Sequence, residues 1–590
     1  MTEDTLREVP TAGSGLVKLY YSLVRPQGPA ESAELMTRFR GAVGDLFYTP
    51  GEATSDWDRG GLLAIILQAR DLAGGKGEYG LFYLLMGELF LCTLSGEDGP
   101  SVALQETMVK MMRSLVEPPP QSESNTRPYG SWKDFRAVLS HLREVASEEA
   151  LVSSDFFRGC IGIIVDELVI DAAALEEDAG IGLIGKWAPR EKNKRHGWLA
   201  RFLADALDER QEERVTGSAR LGRYRTLVSR LNRKLKTVEV AQCAGDWGSI
   251  DFEAGVPART MQRQSRAFLY PQWSNADESP AHADRLECRK HYLGYMRDCA
   301  RGTSRTKNAG LSPRTLVREA IWATESDNLG PQEAALAASA LDLQWWQADD
   351  EGHEDESRGA VVPVIDTSCE MSMDSDDPLC AAIGMGIRLA ETSVLGRRLI
   401  TFGAAPTWVS LEDEDTLTNA VRKIRTVSSQ GGAADVLGAL ELVASACVEQ
   451  ELSPESVAGL SVVILSDAAE GSSPPPRILH RRVTDLFRDA GLRSAMAAPY
   501  PPPHMVYWGL RTRQPLPCSV TQGGVSLISG YHLPTASVLS AGRAVLGGVG
   551  MPSTPERALS KILAGGDRYR WVWEAAEAIP KPEGSAGWLW

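Results

Sequence analysis

Two hydrophobic rhythms divide the chain. From about residue 30 to 345 apolar residues recur at spacings of three and four, as in GGLLAIILQARDL (60–72) and GLFYLLMGELFLCTL (80–94), which predicts packed helices. Polar stretches interrupt them: EPPPQSESNTRPYGS at 117–131 and PQWSNADESPAHAD at 271–284 predict exposed loops. After residue 360 the rhythm becomes strand, helix, strand. Strands are expected at VVPVID (361–366), RRLITFG (397–403), LSVVILSD (460–467), HMVYWGL (504–510) and GVSLISG (524–530). Helices are expected from about Leu379 to Thr392 and near 416–427, 434–448 and 478–490. Such alternation predicts a mostly parallel sheet with helices on both faces.

The two rhythms meet at QADDEGHEDESRGA (347–360), acidic and without apolar period, which reads as a linker. The expected organisation is an extension (1–29), an all-α domain (30–346), the linker (347–360), a doubly wound α/β domain (361–545) and a second extension (546–590). The fold class is therefore α plus α/β. In open parallel sheets ligands bind beyond the carboxyl ends of the strands. Asp366 and Asp467 both sit at that end.

At 590 residues the chain exceeds what one core accommodates, and its 43% hydrophobic and 24% charged content is that of a globular protein. The formal net charge of −16 opposes nonspecific attraction to polyanions and leaves room only for a local basic face. The 9 cysteines are scattered and never form a CxxC pair, which argues against zinc and a disulfide framework. The amino-terminal MTEDTLREVP lacks the basic and apolar regions of a secretory signal, and no apolar run reaches the roughly 18 residues of a membrane span. The expectation is a cytoplasmic protein that does not enter membranes.

The stretches DTSCEM (366–371), SQGGAADV (429–436) and LSD (465–467) resemble the von Willebrand A fold and its metal-ion-dependent adhesion site. The resemblance implies one divalent cation held by an Asp-x-Ser-x-Ser loop, a threonine and a later aspartate, through hard oxygen ligands. Asp366, Ser368 and Asp467 match. Glu370 stands where the second serine belongs, Ala434 stands where the threonine belongs, and Ser372 lies two residues too far along. The expectation is a degenerate site whose aspartates are hydrogen-bonded strand ends, with no cofactor. The alternative is magnesium or manganese held by Asp366, Ser368, Glu370 and Asp467.

Four further stretches, ARDLAGGKGEYGLFYLL (69–85), YGSWKDF (129–135), GKWAPREKNKRHG (185–197) and the run 224–258, resemble the family catalogued as domain of unknown function twenty-eight-twenty-eight, of plants, fungi and large DNA viruses. LITFGAAP, LSDA, MVYWGL and VSLISGY follow in the family's order, so the resemblance covers roughly residues 30–545. Its members resemble the TROVE plus von Willebrand A architecture of the Ro autoantigen. That implies stacked helical pairs binding RNA in the first half and a protein partner engaged by the second.

The residues offer two basic clusters for RNA. One comprises Lys186, Arg190, Lys192, Lys194 and Arg195, beside Trp187 and Trp198. The other is the acid-free run of Arg220, Arg223, Arg225, Arg230, Arg233, Lys234 and Lys236. In the latter Leu221, Tyr224, Val228, Leu231 and Leu235 form an inward stripe, leaving the charge outside to meet phosphates. The competing reading pairs these cations with acids such as Asp205 and Asp208 and makes the tryptophans core anchors.

Other motifs fail on chemistry. GIGLIGKW (180–187) has the spacing of a phosphate-binding loop but places Trp187 where a hydroxyl is required. Cys369, His504 and His532 share no spacing that links a nucleophile to a base. The sequence thus predicts a non-enzymatic binding protein with an RNA-engaging helical domain and a protein-engaging von Willebrand A-like domain. Its alternative is a scaffold that assembles proteins without nucleic acid.

Overall fold

A computed structural model of the chain describes residues 13–49, 55–94, 99–120, 126–211, 214–253, 255–269, 280–304, 311–325, 330–347, 360–372, 377–403, 405–428, 435–467, 476–512, 516–531, 554–564 and 567–581. The chain divides into two compact units, each discontinuous in sequence. One comprises residues 1–42, 55–81 and 310–573; the other comprises 43–54, 82–309 and 574–590. A six-stranded sheet lies in the first and the second is helical, an α plus α/β architecture.

In the first unit the strands are β1 (Ala360–Asp366), β2 (Arg398–Phe402), β3 (Thr407–Ser410), β4 (Leu460–Ser466), β5 (His504–Gly509) and β6 (Val525–Ser529). Their order is β3-β2-β1-β4-β5-β6, and every pairing is parallel except that of β3 with β2. The five parallel strands fall where the apolar runs predict them. The edge strand β3 does not announce itself, because of its four residues only Val409 is buried. Central β1 is buried from Val361 to Asp366, with Val364 opposite both Ile400 and Ile464. Helix Asp377–Glu391 packs closely over it, since a Cβ at Gly386 would stand 2.3 Å from Ile365 Cδ1. The strand order reverses between β1 and β4, and in open parallel sheets the crevice beyond the carboxyl ends of the strands lies at such a switch point.

This unit recruits segments that the hydropathy pattern assigns elsewhere. Helices Ser14–Ser22, Asp56–Arg70, Pro313–Glu325 and Pro331–Gln347 all belong with the sheet. Fully buried Trp345 donates its indole N–H to Glu391 at 3.0 Å, under an Arg388 guanidinium 3.8 Å from its ring. Helix Ser14–Ser22 buries Leu16, Val17, Leu19, Tyr20 and Tyr21, an apolar run too short to display a helical period. Residues 348–359 of the acidic linker lie outside the described residues.

The second unit is built from helices including Gly99–Arg113, Trp132–Val145, Asp155–Glu176, Leu199–Glu209 and Ser218–Leu235. Ser154 caps Asp155–Glu176 by accepting from the Phe157 N–H at 3.1 Å, which satisfies one orphan donor of the first turn. Two expected loops contain structured residues: Tyr129 is buried, and a helix begins at Pro280.

The stretch AGGKG (73–77) has a structural task. A Cβ at Gly75 would stand 2.0 Å from the Gln68 carbonyl oxygen, and Gly77 has φ 66°, so only glycines permit this turn. The turn aims buried Lys76 inward, where its Nζ lies 2.8 Å from Tyr20 O, 2.7 Å from Leu23 O and 2.7 Å from Ser529 Oγ. The two carbonyls belong to the end of helix Ser14–Ser22, where a helix carries orphan acceptors and partial negative charge. Lys76 thereby joins that helix to the end of β6. Replacing it (Lys76→Met) is expected to cost about 2–4 kcal/mol, because buried acceptors lose their donor. Urea denaturation of the full chain measures this, and a loss below about 0.5 kcal/mol would refute the role.

Candidate functional site

Asp366 ends β1 and Asp467 directly follows β4, so the parallel register of these neighbours delivers both carboxylates to the crevice. Asp366 is 1% exposed. Its Oδ1 accepts the Ser368 N–H at 2.9 Å and its Oδ2 accepts the Ser466 hydroxyl at 2.5 Å. Asp467 is 2% exposed, and its Oδ2 forms an ion pair with Arg511 Nε at 2.7 Å. The Arg511 Nη2 donates to the Glu370 carbonyl oxygen at 2.7 Å. Ser368 Oγ and both Asp467 carboxylate oxygens are buried without a well-directed hydrogen bond, so Arg511 meets Asp467 by charge. Glu370 lies half-buried in the 3-10 turn Cys369–Ser372; Ala434 lies outside the described residues.

Negative charge is crowded here. Burial raises the pKa of Asp366, with hydrogen bonds from Ser466 and Ser368 opposing and the Glu370 charge adding to the rise. Asp467 is pushed up to about 6, first by burial and next by Asp366, while Arg511 pulls the other way. Sequence reasoning missed Arg511. The available signal was a cation two residues after β5, the strand beside β4, at the edge where both aspartates emerge.

The divalent cation of a complete adhesion site does not fit this donor set. Both Asp366 oxygens accept hydrogen bonds, and a guanidinium lies against Asp467. Among the described residues no three His, Cys, Asp or Glu side chains are grouped so as to hold a metal ion. The hard cations need six or more oxygen ligands, which these groups do not offer while Arg511 is in place.

In the helical unit the two predicted basic clusters come together. Helix Ser218–Leu235 buries Tyr224, Val228 and Leu231, with Leu221 and Leu235 half-buried. Tyr224 donates its hydroxyl to Pro189 O at 2.8 Å, and Asn232 donates to Gly185 O, so the 185–197 segment is tied to this helix. Seven of the twelve cations meet carboxylates: Lys186 with Glu239, Arg195 with Glu144, Arg220 and Arg223 with Asp208, Arg225 with Glu191, Arg230 with Glu176 and Lys234 with Asp178. Arg190, Lys192, Lys194, Arg233 and Lys236 are exposed and have no acidic partner among the described residues. Lys194 and Arg195 also line an open cleft of about 610 Å³ with Ser140, Arg143, Glu144 and Glu148. Trp198 stacks on Phe157 at 5.9 Å beneath Arg143, and Trp187 carries Arg136 at 4.8 Å.

Two imidazoles pair with hydroxyls. His196 Nδ1 is 2.7 Å from Ser140 Oγ, and His504 Nε2 is 3.0 Å from Ser526 Oγ. Burial lowers both histidines to about 4, with Arg136 and Arg195 assisting at His196. Cys369 is an exposed free thiol, and His532 lies outside the described residues. Among the described residues no helix is long and apolar enough to cross a membrane.

The raised pKa of Asp467 fixes a sign for pH dependence. Between its ordinary value of 3.8 and about 6 the folded chain binds a proton that the unfolded chain has released, so this group's contribution falls as pH rises and is fully unfavourable above about 6. Asp467→Asn should therefore gain stability over the native chain by roughly 1–3 kcal/mol at pH 7, and the gain should vanish near pH 4. Denaturation of both proteins across this range checks it, and a gain independent of pH would contradict the assignment.

Residues 360–538, which span all six strands, match the model of the family described as Domain of unknown function (DUF7788). The chain is also similar to Uncharacterized protein L728 of Acanthamoeba polyphaga mimivirus, at 23% identity over 416 residues. That alignment covers 68% of this chain and 66% of the viral protein, just under two thirds of its length.

Proposed function

We propose that the chain is a binding protein with two faces, an RNA-engaging helical unit and a von Willebrand A-like sheet unit that docks a protein partner. The observation that carries the RNA face is the union of the 185–197 segment with helix Ser218–Leu235. Two clusters separate in sequence are packed together, and Arg190, Lys192, Lys194, Arg233 and Lys236 are exposed to solvent. The ion-paired arginines around them are mostly exposed. Such pairs are worth only about 0–1 kcal/mol, so a phosphate can compete for them. Support for the sheet unit comes from its strand order and the paired strand-end aspartates Asp366 and Asp467. Binding rather than catalysis fits histidines held near pKa 4, which are weak bases at neutral pH.

One observation favours the scaffold reading: seven of the candidate cations already have carboxylate partners. The two readings part on a single experiment, the salt dependence of single-stranded RNA binding by the full chain and by a variant with Arg190, Lys192, Lys194, Arg233 and Lys236 changed to Gln. The RNA reading expects weaker binding and a slope of log K against log salt flattened by about 0.7 for each phosphate that the variant no longer neutralises. Absence of binding by the native chain at low salt, or an unchanged slope in the variant, supports the scaffold instead.

A further inference from the structure

We infer that Arg511 is the resident cation of the sheet crevice: its guanidinium holds the place of a divalent ion and makes the site metal-independent. Asp366, Asp467 and Glu370 bring three carboxylates within electrostatic reach of one another, two of them almost wholly buried. Buried carboxylates need compensating charge, which a metal supplies in a complete adhesion site. Here the charge comes from the protein. Arg511 is 16% exposed, stands 2.7 Å from Asp467 Oδ2 and donates at 2.7 Å to the backbone of the very loop that carries Ser368 and Glu370.

A planar guanidinium suits this position better than an ammonium would. It meets a carboxylate on one edge and a carbonyl oxygen with another nitrogen, bridging the ends of β1, β4 and β5. The bridge also bears on Glu370: with a guanidinium in place of a cation, the loop has no need of a second serine hydroxyl as a ligand. Three buried oxygens lack well-directed hydrogen bonds, Ser368 Oγ and both carboxylate oxygens of Asp467, and of these Asp467 Oδ2 is the one that the guanidinium meets as an ion pair. The inference concerns how the crevice is charged and is independent of what either unit binds.

Removing the guanidinium should convert the crevice into a metal-responsive one. The test is thermal melting of the full chain with and without millimolar manganese, for the native protein, Arg511→Gln, Arg511→Lys and the double variant Arg511→Gln/Asp467→Asn. The native Tm should not respond to manganese. Arg511→Gln should melt at least about 5 °C lower and recover part of that loss with manganese, because a buried carboxylate is left uncompensated and its oxygens are free to bind. Arg511→Lys should stay manganese-insensitive, since it keeps the charge. The double variant should fold without metal and show no response. Should Arg511→Gln fail to fold, the double variant decides: its folding supports the inference and its failure to fold contradicts it. A native Tm that climbs with manganese, or an Arg511→Gln protein that folds and either is not destabilised or recovers nothing with manganese, would overturn it.

Discussion

Two carboxylates end adjacent buried strands, and folding has to neutralise them away from water. β1 and β4 are parallel neighbours with apolar interiors, so Asp366 and Asp467 reach the crevice together, each almost fully buried. Isolated, such charges would cost far more than the few kcal/mol by which a domain is stable. The remedy is distributed: Ser466 and the Ser368 N–H serve Asp366, and Arg511 serves Asp467. Because Arg511 also holds the Glu370 carbonyl, the loop after β1 and the end of β5 are fixed by the same group. Local sequence at three strand ends is therefore coupled through one guanidinium.

Compensation takes another form in the helical unit. Helix Ser218–Leu235 needs its apolar stripe to pack and can leave its cations outward, where exposed carboxylates meet them at little energetic gain. These pairs order the side chains without consuming the positive potential irreversibly, since water and salt compete at the same surface. Arg190, Lys192 and Lys194 of segment 185–197, with Arg233 and Lys236, have no such partner among the described residues and set the charge that a polyanion would meet first.

The five parallel strands and their helices were legible because a strand buried on both faces writes a continuous apolar run, as VVPVID and LSVVILSD do. β3 was not, since an edge strand with one buried residue has no pattern to show. Helix Ser14–Ser22 escaped for a related reason: two turns are too few to establish a period, and its place beside β6 through Lys76 is a long-range fact. Asp366 and Asp467 were readable as strand ends; Asp366 is hydrogen-bonded there, whereas Asp467 is met by the Arg511 ion pair. Arg511 was not, because its partners are 44 and 141 residues away in sequence and only strand order brings them near. Likewise the acids that meet the two basic clusters include Glu144, Glu176 and Glu239, which lie outside the acidic group between the clusters and reach the cations through folding.

The central claim is that a side chain, not an ion, supplies the positive charge at the carboxyl edge of the sheet. Anomalous scattering from a crystal of the full chain grown in millimolar manganese tests it most directly. Guanidinium density between Asp467 and the Glu370 carbonyl, and no anomalous peak in the crevice, are expected. A manganese peak coordinated by Asp366 and Asp467, with Arg511 turned away, would contradict it.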